Sequence, residues 1–363
     1  MGINEIIIFI MVIFMVIGGI DKCLGNKYGY GEKFEEGFMA MGSLALAMVG
    51  VISLAPVLAK VLRPIVEPVY TALGADSAMF ATTLLANDMG GYPLAMELAK
   101  DPNAGLFAGL ILGAMMGPTI VFTIPVALGI IEKEDRPFLA KGILAGIITI
   151  PLGCLAGGLV AGFDVVMILR NLVPIIIFAA LICIGLWKIP NKMIKGFTIF
   201  GQGVVIVITI GLVAATVEAL TGIVVIPGMA PIGEGIEIIG SIALVLAGAF
   251  PLVHFITKVF KKPLTKIGTH LGMNETGAAG LVASLANSIP MFGMMKDMNE
   301  NGKIINVAFA VSAAFVFGDH LGFTGGVNKE MIFPMIVGKL VAGLTAIVVA
   351  KLLFVRKNKD LSK

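Results

Sequence analysis

From Ile3 to Phe354 the chain is one apolar segment after another, most of them long enough to cross a bilayer, with only short polar turns between. In lipid, a backbone that cannot bond to water must satisfy itself, and a chain without strand-like alternation can do that only as helices. Composition agrees: 58% of residues are hydrophobic and 13% charged, where a soluble domain carries roughly 25% charge. The expected fold is therefore an all-α polytopic membrane protein with no separate aqueous domain. Cys23, Cys154 and Cys183 are scattered and show no metal or disulfide spacing. The first segment is not followed by a small-residue cleavage site, so it reads as a retained helix.

Apolar segments fall at 3–20, 37–62, 103–131 (broken by Gly117-Pro118 and Pro125), 141–162, 164–187, 198–226, 235–257, 304–327 and 331–354. Two others are interrupted. Segment 76–97 contains Leu85-Ala86-Asn87-Asp88-Met89-Gly90-Gly91-Tyr92-Pro93, and segment 276–296 contains Leu285-Ala286-Asn287-Ser288-Ile289-Pro290. A continuous lipid-facing helix would not place Asn and a second polar side chain beside Gly and Pro. Broken backbone at membrane depth survives where protein buries it or where it lines a wet cavity. Interrupted segments in matching positions of two halves point to a transporter's binding site.

The halves do match. Gly42-Ser43-Leu44-Ala45-Leu46, Gly50, Leu54 and Lys60-Val61 meet Gly240-Ser241-Ile242-Ala243-Leu244, Gly248, Leu252 and Lys258-Val259 at a constant offset. Gly74-Ala75-Asp76-Ser77 corresponds to Gly272-Met273-Asn274-Glu275, the Leu-Ala-Asn triplets follow, and Gly117-Pro118 answers Gly318-Asp319. The chain divides into a first repeat, 1–162, with hairpin 76–97; a linking transmembrane helix, 163–188; and a second repeat, 189–363, with hairpin 276–296. Basic residues mark cytoplasmic loops. If every segment crosses, that rule is inverted. If the interrupted segments enter and leave on one face, the lysines at 22–33, 133–141, 188–197, 261–266 and 296–303 all become cytoplasmic, with Lys60, Arg63 and Lys100 the exceptions. Each repeat then has four crossings and one re-entrant or broken hairpin, and the linking helix inverts the second against the first.

Asp88 is the sharpest candidate for chemistry, because an intramembrane carboxylate is costly and usually faces a cavity. Its structural alternative is to cap a half-helix. Asn87, Asn287 and Ser288 offer amide and hydroxyl groups at the hairpin tips, or simply satisfy their own turns. Asp319 and His320 sit within a span beside Gly318, where unwinding would expose them and Thr324 to one cavity; they read as a pair that orients substrate or carries a proton. Thr119 and Thr123 are their uncharged counterparts. Tyr92 and Phe323, with Phe122 and Phe292, have ring faces able to wall a cation, though ordinary packing is the better explanation of each. One histidine does not make a metal site, no dinucleotide or phosphate loop follows a strand, and no basic face suits nucleic acid. The expectation is no metal, no cofactor and no ATP. Two carboxylates among amides and hydroxyls suit a small, polar, cationic substrate.

Leu85-Ala86-Asn87-Asp88-Met89-Gly90-Gly91-Tyr92 and Gly318-Asp319-His320-Leu321-Gly322-Phe323, with the Lys-rich joins, resemble the ethanolamine-utilisation membrane protein family over essentially the whole chain. The resemblance implies ethanolamine import through the cytoplasmic membrane by a multi-pass permease, feeding an ammonia-lyase housed in a microcompartment. It assigns no binding residues. The partners expected are ethanolamine, the lipid bilayer, H+ or Na+ if transport is coupled, and further copies of the chain. A secondary carrier using alternating access is the first reading. An uncoupled channel or facilitator is the second. An enzyme acting on lipid headgroups is the third, and it lacks a nucleophile.

Overall fold

The computed structural model describes residues 2–355, and among these all regular structure is helical. The basic tail 356–363 lies outside the described residues. Helix α1 spans Ile3–Cys23 and α2 runs from Tyr30 to Ala72. A short helical pair follows, α3 at Ala78–Leu84 and α4 at Gly91–Leu98. Next come α5 at Pro102–Ile130, α6 at Arg136–Val160, α7 at Val165–Lys188, α8 at Pro190–Thr221 and α9 at Ile232–His270. The second short pair is α10, Glu275–Ala286, and α11, Ser288–Gly293. Helices α12 at Glu300–Ala313, α13 at Asp319–Val327 and α14 at Ile332–Leu353 complete the described fold.

Eight helices among the described residues are long and apolar enough to cross a membrane. Segment 304–327, expected as one span, is instead α12 and α13 with an unwound joint at 314–318. The expected stop near Arg63-Pro64 is also absent. Helix α2 passes through Pro56, Pro64 and Pro68, since prolines are tolerated where neighbouring helices re-satisfy the freed carbonyls.

Both interrupted segments are closed hairpins. At the first, the Asp76 carboxylate accepts from the backbone N–H groups of Ala78, Lys100 and Asp101 at 2.8–3.1 Å, and Ser77 Oγ donates to Leu98 O at 2.7 Å. At the second, Asn274 Nδ2 donates to Asp297 O and Asn299 Nδ2 to Gly272 O, each at 2.8 Å. Gly74 and Gly272, just before these mouths, have φ of +72° and +78°. That left-handed backbone turns the chain out of α2 and out of α9, and a side chain would strain it.

The core pairs the halves with each other. Helix α2 packs along α9, and α6 packs along α14, while α1 lies on α9 and α8 lies on α2. Close approach is built in with glycine. A Cβ on Gly50 would sit 2.1 Å from the Ile208 carbonyl oxygen of α8, and one on Gly248 would sit 2.4 Å from that of Met11 in α1. Small residues let helix backbones touch in lipid, where van der Waals packing rather than water exclusion drives association.

Candidate functional site

The chain turns at Asn87–Met89 between α3 and α4, and it unwinds at 314–318 between α12 and α13. Backbone freed by that second break finds partners in the second hairpin. The N–H groups of Phe315 and Phe317 donate to the carbonyls of Ser284 and Leu285, each at 3.0 Å. Phe315 adopts φ +63°, an unusual conformation for a bulky residue, and such outliers cluster at functional sites. Helix α5 is itself broken from regular α-helix between Phe107 and Thr123, and this break and the one at 314–318 are each seated on a hairpin tip. A Cβ on Gly117 would lie 1.9 Å from the Leu85 carbonyl oxygen, and one on Gly318 would lie 2.1 Å from that of Ala286. Both glycines let a broken helix rest directly on the opposing backbone.

The turn at Asn87–Met89 and the break at 314–318 bring Asp88, Asp319 and His320 together. They line one cavity of about 40 Å3 with Ala86, Met89, Pro118, Phe122 and Phe315. By volume it has room for roughly three waters. The Phe122 and Phe315 rings meet edge-on at 5.5 Å, and Phe315 lies 5.4 Å from the His320 ring. Asp88 and Asp319 are half-buried. Neither caps a helix: the residue at the start of α4 is Gly90 and that at the start of α13 is Gly318, and neither carboxylate takes a backbone N–H bond there.

A second cavity, of about 330 Å3, shares Asp319 with the first and is otherwise lined by Lys33, Glu36, His254, Thr257, Asn287 and neighbouring apolar residues. Asp319 thus lines both a small pocket and a wider vestibule. A third cavity, of about 390 Å3, is lined only by apolar side chains including Val51, Leu85, Phe200 and Val204. It has no group to replace the hydration of a cation.

The remaining candidates are placed differently. Asn287 lines the vestibule, and its side chain also accepts from Ile289 N at 2.8 Å, capping α11. Asn87 is fully buried beneath the first tip, and neither side-chain atom has a protein partner; the Ser288 and Thr324 hydroxyls are buried and unpartnered too. Thr119 is satisfied by Met115 O and Val311 O, and Thr123 is buried. Tyr92 and Phe323 pack edge-on against each other at 5.6 Å and line neither cavity. No cluster of metal-ligating side chains occurs among the described residues.

Two residues at the site escape a sequence reading. Phe315 carries no signal beyond an apolar run. Lys339 does: it is the one charged residue between Ile332 and Ala350 of α14, where the rule that singles out Asp88 applies equally. Its side chain is 1% exposed. Nζ donates to the Ala114 carbonyl, at the break in α5, and lies 2.9 Å from His320 Nδ1.

The sequence profile of the family described as "Ethanolamine utilisation protein, EutH" matches residues 3–353. A "Probable ethanolamine permease EutH" of Listeria monocytogenes is 73% identical over 362 residues, covering 99% of this chain and 97% of that one. The protein of the same name from Escherichia coli is 55% identical over 401 aligned positions, covering 100% and 98%. "Uncharacterized protein YxeR" of Bacillus subtilis is 58% identical over 346 residues, covering 95% and 94%. No solved structure matches. With its run of apolar helices, this multi-pass membrane protein belongs to the ethanolamine utilisation protein family EutH.

Proposed function

We propose that the protein is a secondary carrier that imports ethanolamine, as the ethanolammonium ion, across the cytoplasmic membrane by alternating access. The observation that carries this is the small cavity in which Asp88, from one half, meets Asp319 and His320, from the other. An ammonium that leaves water needs carboxylates in exchange, and the cavity's size suits a molecule of four heavy atoms. The names of the Listeria and Escherichia relatives support the same substrate.

The geometry also supports two inverted repeats, 1–162 and 189–363, whose hairpins re-enter from opposite faces and meet at the midplane. The matched mouths at Asp76 and Asn274, the matched left-handed glycines and the matched seats at Gly117 and Gly318 are the grounds. The vestibule is lined by Lys33 and Glu36, next to the lysine-bearing turn 22–33, so the positive-inside rule assigns it to the cytoplasm. In this arrangement Asp319 faces the inside.

The test is uptake of labelled ethanolamine into proteoliposomes by wild type, Asp88→Asn and Asp319→Asn. The reading expects saturable uptake that falls at least tenfold in both folded variants. Undiminished uptake in both would overturn it and make the carboxylates structural.

A further inference from the structure

We propose that Lys339 is a positioning residue that fixes the tautomer of His320, so that the ring presents Nε2–H to the cavity as a hydrogen-bond donor for the substrate's hydroxyl oxygen. This rests on the carrier reading above and names how that site tells ethanolamine from a plain alkylamine.

A backbone carbonyl only accepts, so Nζ of Lys339 must donate to Ala114 O. As an ammonium Lys339 has no lone pair, so in that state the 2.9 Å contact to His320 Nδ1 is made with Nδ1 accepting. The imidazole proton then belongs on Nε2. The ring also lies within reach of the Ala114 carbonyl that Lys339 bonds, and its Nε2 is not among the polar atoms sealed without a bond, whereas Nε2 of His254 is. The ring lines the cavity beside Asp88 and Asp319. The division of labour follows: the two carboxylates, which only accept, hold the ammonium end, and the imidazole N–H meets the oxygen at the other end. A ligand lacking that oxygen leaves a buried donor unpaired, and sites built to bond a hydroxyl reject analogues without it far more strongly than apolar pockets reject an extra group.

Two measurements test this. In protein labelled with 15N-histidine, the His320 resonances (identified by their loss in His320→Gln) should report a proton on Nε2 and a bare Nδ1; a proton on Nδ1 overturns the assignment. Equilibrium binding of ethanolammonium and ethylammonium gives the preference for the hydroxylated ligand. Lys339→Met should reduce that preference about tenfold, mainly through weaker ethanolammonium binding. Lys339→Gln, whose amide can still donate to Nδ1, should retain most of it. An unchanged preference in Lys339→Met, or an equal loss of both ligands in both variants, overturns the proposal. Wild type that binds neither amine overturns the underlying site reading, and this assignment falls with it.

Discussion

Asp88 and Asp319 are ionisable groups that cap no helix, and that is what separates them from the other polar residues of the breaks. Asn287, Asn274 and Asn299 each accept a backbone N–H at a helix start, at 2.8–3.0 Å, and so are explained by local structure. The sequence singled out the two carboxylates on cost alone. It could not tell Asn87 from Asn287, because whether an amide finds its own turn depends on a backbone conformation that residue types leave open. Lys339 was legible by the same cost argument and lies in a window that otherwise reads as plain membrane. The seat of the second break is also a matter of one residue. Adding a methyl at Gly318 would drive it into the Ala286 carbonyl, whereas at Gly293 nothing lies within 4 Å. Overpacking typically costs about 1–3 kcal/mol, so Gly318→Ala should lower the unfolding temperature in detergent by several degrees and reduce uptake. Gly293→Ala should do neither. Equal behaviour of the two variants would show that the seat is not tight.

At the scale of elements, the hairpins were the most readable part of the chain. Expected at 76–97 and 276–296, they occur as α3–α4 at Ala78–Leu98 and α10–α11 at Glu275–Gly293. Clustered polar residues inside apolar sequence are too costly on a lipid-facing helix, so they mark where the backbone breaks under cover of protein. The long helices were less readable, since proline ends a helix in water yet stays inside α2 and α9, which also carries Pro251 and Pro263. The hairpin mouths should matter more than their distance from the cavity suggests. Asp76 alone receives three backbone N–H groups and bridges both ends of its hairpin. Charge-assisted bonds contribute about 1.5–3 kcal/mol each and do not simply add. Asp76→Ala should therefore destabilise the protein by about 2–4 kcal/mol, read as a lower unfolding temperature, with Asp76→Asn intermediate. A variant as stable as wild type would mean that the mouth is held by Ser77 and its neighbours instead.

For the whole molecule, Gly74 and Gly272, Asp76 and Asn274, and Gly117 and Gly318 take like local roles, which is the ground for proposing a duplication. The sequence was silent on how the halves interlock, because helix–helix contacts in lipid depend on small residues found everywhere in this chain. Inverted repeats make a prediction about sidedness. In a background without Cys23, Cys154 and Cys183, Thr71→Cys near the first mouth should react with a membrane-impermeant maleimide only from outside the cell. Glu275→Cys at the second mouth should react only from the cytoplasm; both sites are exposed. Labelling of both from one side would replace inversion with a parallel arrangement.

The crossed packing of α1 on α9 and of α8 on α2 also sets a timetable for synthesis. Helix α1 is the first to leave the ribosome, yet the α9 surface that receives it is made about 200 residues later. Until then α1 has only α2 to pack on, and the Gly50 face of α2 stays open for a helix not yet translated. Neither half can finish before the other is inserted, so the polypeptide commits to its native form only near the end of translation. A chain stopped after α7 would be an unfinished assembly rather than a smaller version of the same protein.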